Sequence, residues 1–222
     1  VQALTTVQVA ALTTAQVQQG LTTDQVAALK TNQVAALTTT QVQQGLTTDQ
    51  VVALGTNQVS ALTSVQVKAL TTDQVAALET ADVQALTTGQ VASLTTDQIN
   101  AGLTTDQVAA LKTSQVSALT TAQVQQGLTT DQVVALTTSQ VKALTSGQVK
   151  ALTTDQVAAL ETADVQALTS AQIGALTTSQ INAGLTTDQV VALQTSQVVA
   201  LTSAQVKALT TDQVAALETA DV

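Results

Sequence analysis

The chain has 222 residues, with 15 acids against 6 lysines, a formal charge of −9 and 45% apolar residues, and it has no aromatic, Cys, Met, His, Arg or Pro. Those absences exclude thiol and imidazole catalysis, disulfides, zinc fingers and haem ligation, and so sparse a set of ionisable groups predicts a protein that is not an enzyme. The acidic balance opposes nucleic acid and anionic membrane surfaces, because phosphate affinity rests on clustered basic residues. No run of about 18 apolar residues occurs, and no basic leader precedes an apolar stretch, so neither a membrane span nor a signal peptide is expected. A cysteine-free, acidic, repetitive composition leans toward an extracellular or cell-surface location.

From Leu4 onward the chain is a repeat. Leu stands at Leu4, Leu12, Leu21, Leu29, Leu37, Leu46 and so on to Leu217, always eight or nine residues apart. Counted from each Leu, position +2 is Thr or Ser, position +4 is Gln except at Asp82, Asp164 and Asp221, and position +5 is Val or Ile. The nine-residue units begin at Leu12, Leu37, Leu94, Leu119 and Leu176, and each ends on a glycine: Gly20, Gly45, Gly102, Gly127 and Gly184. Residues 12–93 return as 94–175, and 176–222 is a partial third copy. Loss and gain of whole units is expected of an array whose members contact mainly their neighbours. The whole of 1–222 therefore reads as a single continuous repeat array and as a window on a longer one.

Each unit reads as a short helix. Leu at 0 and Val at 5 break the two-residue parity of a half-buried strand. Thr at +1 suits an N-cap, and Gln at +4 then falls at N3 to complete a capping box. Leu and Val become the N′ and N4 partners of a hydrophobic staple. Asp at +3, as in Asp24, Asp73 and Asp155, sits where the helix dipole favours an anion. Position +1 drifts to Lys30, Gly55, Glu79, Lys112, Glu161, Gln194 and Glu218, whereas the hydroxyl at +2 never fails, which allows the N-cap to sit at +2 in some or all units. The five unit-ending glycines suit a left-handed C′ position.

A helix of about six residues cannot hold itself together in water, because nucleation costs more than so few hydrogen bonds return. The expected fold is therefore an all-α solenoid of very short N-capped helices, one per unit of 8 to 9 residues, with Leu and Val pointing to the axis. A β-solenoid is the competing fold, helped by abundant Thr and Val. The near-invariant Gln is expected to hydrogen-bond backbone groups at the corners or on the neighbouring coil, since each helix break exposes N–H and C=O groups.

No residue emerges as catalytic, cofactor-binding or metal-binding. The pairs Glu79/Asp82, Glu161/Asp164 and Glu218/Asp221 fall short of the six to eight oxygens calcium needs and read as a solvated edge or as partners of the helix dipole. Rows of Thr raise an ice-binding reading, but capping already explains them. Lys30, Lys68, Lys112, Lys142, Lys150 and Lys207 are too scattered for a basic patch and read as solvated positions.

The tract L-T-T-D-Q-V-V-A-L at Leu46 to Leu54, Leu128 to Leu136 and Leu185 to Leu193 resembles the first helix of transcription activator-like effector repeats, although the base-reading loop and basic residues are missing. Over nearly its whole length the chain resembles the L-T-x-x-Q-V-x-A-L arrays of very large bacterial surface or secreted, adhesin-like proteins. That resemblance implies a structural repeat protein in a rigid extracellular fibre, stalk or adhesin. Its expected partner is itself, end to end or as continuation in a longer chain, with no nucleic acid, no membrane insertion, no cofactor and no small-molecule substrate. The alternative is a binding module whose repeated face engages a polymer, ice or a partner protein.

Overall fold

The computed structural model describes residues 1–217; Glu218 and Asp221 lie outside the described residues. These residues form twenty-one short α-helices and five π-helical turns, with no strand among them. The protein is an all-α solenoid, and the β-solenoid alternative has no strand to rest on. The chain divides into two compact units, Val1–Leu111 and Lys112–Val222, and the same construction recurs inside each.

The local geometry follows from the capping box. In the helix Ser64–Ala69, the Thr63 N-cap is extended, and its Oγ1 accepts from the Gln66 N–H at 3.2 Å. In return Gln66 Oε1 accepts from the Thr63 N–H at 2.7 Å. Where +1 lacks a hydroxyl the cap survives in altered form. Lys30 N–H still donates to Gln33 Oε1 at 2.8 Å, and the Gln33 N–H turns to the Lys30 carbonyl at 2.9 Å. The N-cap therefore sits at +1 even where the hydroxyl is missing, and the reading that placed it at +2 is overturned. The reason is that half of the box needs only a backbone N–H, which every residue type here supplies, so +1 is free to vary.

Each helix stops at the next Leu or a residue or two before it. Leu62, at φ −58° and ψ 139°, leaves helical geometry while its N–H still donates to the Val59 carbonyl at 3.2 Å. The Leu thus forms the corner and its side chain turns inward. Val34, Val59, Val83 and their equivalents are wholly buried, and Leu37, Leu54 and Leu86 are nearly so. The residues at +1, +3 and +6 are exposed or half-buried, with Lys30, Asp73 and Lys68 among the exposed ones.

Nine-residue units absorb their extra residue as a π-turn, in Gln41–Gly45, Gln98–Gly102 and Gln180–Gly184 among others. The next Leu closes the turn, as when the Leu46 N–H donates to the Gln41 carbonyl at 2.9 Å. No glycine has a positive φ among the described residues, so the expected left-handed C′ position is overturned. Glycine is required by proximity instead. A Cβ on Gly102 would lie 3.1 Å from Val75 Cβ and 3.2 Å from the Thr72 carbonyl oxygen; on Gly184 it would lie 3.2 Å from Val157 Cβ. The wider π-turn presses its last residue onto the valine of the preceding coil, where only a hydrogen fits.

Helices pack on the third unit along the chain. Thr56–Ala61 lies against Thr80–Ala85 and Ser64–Ala69 against Thr88–Ser93 in the first compact unit; Thr138–Ala143 lies against Thr162–Ala167 and Ser146–Ala151 against Ser170–Ala175 in the second. A coil consequently closes after between three and four units, and its helices stack on those of the coil before.

Candidate functional site

The one arrangement of polar groups that recurs through both compact units is a ladder of buried glutamines. Oε1 of each is occupied by its own N-cap, so Nε2 is left to project out of the helix. There it meets the preceding coil. Gln74 Nε2 donates to the Val42 carbonyl at 2.8 Å and the Leu46 carbonyl at 2.6 Å. Gln90 makes the same pair to Val59 and Leu62 at 3.1 and 2.6 Å, and Gln107 to Val75 and Leu78 at 3.0 and 2.6 Å. In the second unit Gln156 reaches Val124 and Leu128 at 2.9 and 2.6 Å, and Gln189 reaches Val157 and Leu160 at 2.9 and 2.7 Å.

The acceptors are the carbonyls that helix ends leave open. A short helix cannot satisfy its last C=O groups internally, and here the chain supplies a donor 28 to 33 residues later, as from Gln74 to Leu46 and from Gln50 to Val17. One side chain thus seals the start of its own helix and the end of a helix one coil back. At about 0.5–1.5 kcal/mol net per hydrogen bond, the three bonds of each glutamine contribute about 1.5–4.5 kcal/mol. The expectation that Gln bonds backbone groups on the neighbouring coil is met, with acceptors of fixed identity. Glutamine fits the role where its relatives do not: Asn is one methylene too short to serve both ends, and ionised Glu has no donor to offer the preceding coil.

Two of the three acids that replace glutamine can be placed, and they do not behave as a solvated edge. Asp82 and Asp164 are both 2% exposed, while Glu79 and Glu161 beside them stand in solvent. Asp82 accepts from the Glu79 backbone N–H, which preserves the capping half of the glutamine's task. Its Oδ2 is buried with no hydrogen-bond partner. Burial pushes the Asp82 carboxyl above the usual aspartate value, with the Glu79 charge adding to the rise and the backbone bond opposing it. Asp164 is raised by burial too, but it receives hydrogen bonds from the Thr138 side chain and the Glu161 backbone. The sequence signal is the substitution at +4 itself, since that position is buried in every described unit from Gln33 onward; grouping each Asp with its neighbouring Glu obscures it.

An open depression in the first compact unit is lined by Lys30, Gly55, Asn57 and Gln58, and another in the second by Lys150, Gly174, Thr178 and Gln205. Among the described residues no three His, Cys, Asp or Glu side chains form a group that could hold a metal ion, and no helix is long and apolar enough to cross a membrane.

The fold and ladder define a class: a solenoid repeat protein in which a periodic side chain ties each coil to the one before. The ALTTAQ repeat matches residues 1–31, 21–56, 44–80, 75–113, 109–138, 128–162, 157–195 and 190–219, and the chain belongs to that repeat family. Each match spans roughly four units, close to the length over which a coil closes. A comparison with curated proteins found no match.

Proposed function

We propose that the array is a non-catalytic structural element that sets length and stiffness in an extracellular or cell-surface fibre, stalk or adhesin. The observation that carries this reading is the glutamine ladder, because coil after coil presents the same row of carbonyls and, save at Asp82 and Asp164, the same row of amides. Stacking can therefore be repeated without a new interface being invented. Extension then proceeds either within a longer chain or end to end between copies, as a heterologous contact that does not close allows. Support for a structural role over a binding face comes from the outside of the coils. Exposed +1 positions drift among Thr, Lys30, Gly55 and Glu79, whereas the inward positions scarcely change.

The test uses arrays of one, two and three copies of the segment 94–175, measured by small-angle scattering. Under the structural reading the largest dimension rises in proportion to copy number at constant cross-section. A dimension that grows only as the cube root of mass contradicts it. Surface biotinylation of intact producing cells tests the location: protection of the array from a membrane-impermeant reagent would remove the extracellular part of the proposal.

A further inference from the structure

The register of the ladder fixes what lies opposite Asp82. Gln74, one unit earlier, serves Val42 and Leu46, and Gln90, one unit later, serves Val59 and Leu62. The intervening unit places residue 82 opposite the carbonyls of Val51 and Leu54. At this junction the side chain brings no N–H donor where the neighbouring junctions have one, and Asp, one methylene shorter than Gln, holds its inner oxygen back from the amide's place. Asp82 Oδ2 is buried without a partner. A buried carboxylate oxygen without a donor is relieved when it gains a hydrogen.

We propose that Asp82 is a proton-operated weak point of the stack: protonated, its partnerless inner oxygen is tolerated in the dry junction between its helix and the preceding coil, and on ionising it loosens that single junction. Among the described residues packed around it, no cation is placed to hold the ionised form. The packed helices are Thr56–Ala61, which has no titratable group, and Thr105–Ala110, which brings Asp106. Along the chain Thr72–Ala76 brings Asp73 and Thr88–Ser93 brings none, while Glu79 heads the helix itself and Asp49 lies on Thr48–Val52, just before the facing carbonyls. These four groups are all acids and all exposed. Asp164 occupies the same place in the second compact unit with Thr138 as an added donor, so its need for a proton is smaller. Around Asp164, Thr138–Ala143 brings Lys142, Thr187–Val191 brings Asp188, Thr154–Ala159 brings Asp155, Thr130–Val134 brings Asp131, and Glu161 heads its helix.

The direction of the pH effect follows from the burial of Asp82, which holds its folded carboxyl above the ordinary value of 3.8. Over the interval above that value the folded chain keeps a proton that the unfolded chain releases. Stability from this junction is therefore full at low pH and falls as pH rises through the interval, opposite to the usual acid unfolding of ion-paired carboxylates.

The experiment follows the side-chain carboxyl carbons of 13C-aspartate-labelled protein by NMR from about pH 3 to pH 8, with Asp82→Asn and Asp164→Asn assigning the two signals. Asp82 is expected to titrate above Asp164, and both above the ordinary aspartate value of 3.8. A thermal series on the parent and on Asp82→Gln, which installs the side chain found at all other +4 positions but two, supplies a second readout. The parent's melting midpoint is expected to fall between about pH 4 and pH 7 relative to Asp82→Gln, while the exposed control Asp106→Asn keeps the parent's slope. Titration of Asp82 at or below the ordinary value of 3.8, or parent and Asp82→Gln curves that run parallel, would overturn the proposal.

Discussion

The substitution Gln66→Glu changes one NH2 group for one oxygen and nothing in shape, which makes it the sharpest test of what the glutamine does. Gln66 is 3% exposed, and its Oε1 accepts from the Thr63 N–H at 2.7 Å, a contact that a carboxylate keeps. Its Nε2 donates to the carbonyls of Val34 at 3.0 Å and Leu37 at 2.6 Å, and both bonds vanish in the variant. Two lost hydrogen bonds account for about 1–3 kcal/mol, and an oxygen held against two carbonyls without a donor adds about 1–3 kcal/mol more. The expected loss at neutral pH is thus on the order of 4 kcal/mol, or roughly 10 °C in melting midpoint for a chain of this size. Circular dichroism at pH 7 and again near pH 4 reads the effect. Because the folded state favours the protonated form of the introduced carboxyl, which regains one donor, stability recovers as pH falls. A variant that melts with the parent at pH 7 refutes the staple, since the amide would then be doing nothing that a carboxylate cannot.

Four other outcomes are expected. Val157→Asp places a charge at a site 1% exposed and is expected to cost about 4 kcal/mol or more, so an unchanged melt would show that the valines do not form the core. Gly102→Ala meets Val75 and the Thr72 carbonyl and is expected to lose about 1–3 kcal/mol, whereas Gly147→Ala, with nothing closer than 3.8 Å, is expected to gain about 0.5–1 kcal/mol; the opposite order in urea melts contradicts the close-approach account of the π-turns. Pieces of three units have no preceding coil to stack on and pieces of four stack a single helix, so both are expected to show a disordered circular dichroism spectrum, a result that a well-folded four-unit peptide would contradict. Titrating the intact protein from about pH 3 to pH 8 should show Asp82 ionising above the ordinary aspartate value of 3.8, as its carboxyl chemical shift reports.

The helices and their caps were legible because they are local: Thr63 and Gln66 identify a capping box across three residues, and Leu and Val identify the buried face across five. The donor role of glutamine was legible as a need, from the carbonyls that short helices leave open, but its acceptors were not, since the 28 to 33 residue reach depends on how many units close a coil. That number is set by the corner at each Leu, where an extended ψ aims the next helix, and no residue type encodes the angle. The glycines misled for a related reason. Gly45 and Gly102 follow a helix as a left-handed cap does, yet the constraint on them comes from Val17 and Val75 on another coil. Asp82 was read beside Glu79, its neighbour in sequence, and the structure groups it with Gln74 and Gln90, its neighbours in the ladder.

The most direct measurement is the scalar coupling transmitted through hydrogen bonds in 15N,13C-labelled protein. The account predicts correlations from glutamine Nε2 to backbone carbonyl carbons one coil earlier, from Gln74 to Leu46 and from Gln156 to Leu128, together with slowed exchange of those side-chain amide protons. Glutamine NH2 signals that are averaged, exchange at the rate of free amides and show no such correlation would contradict it.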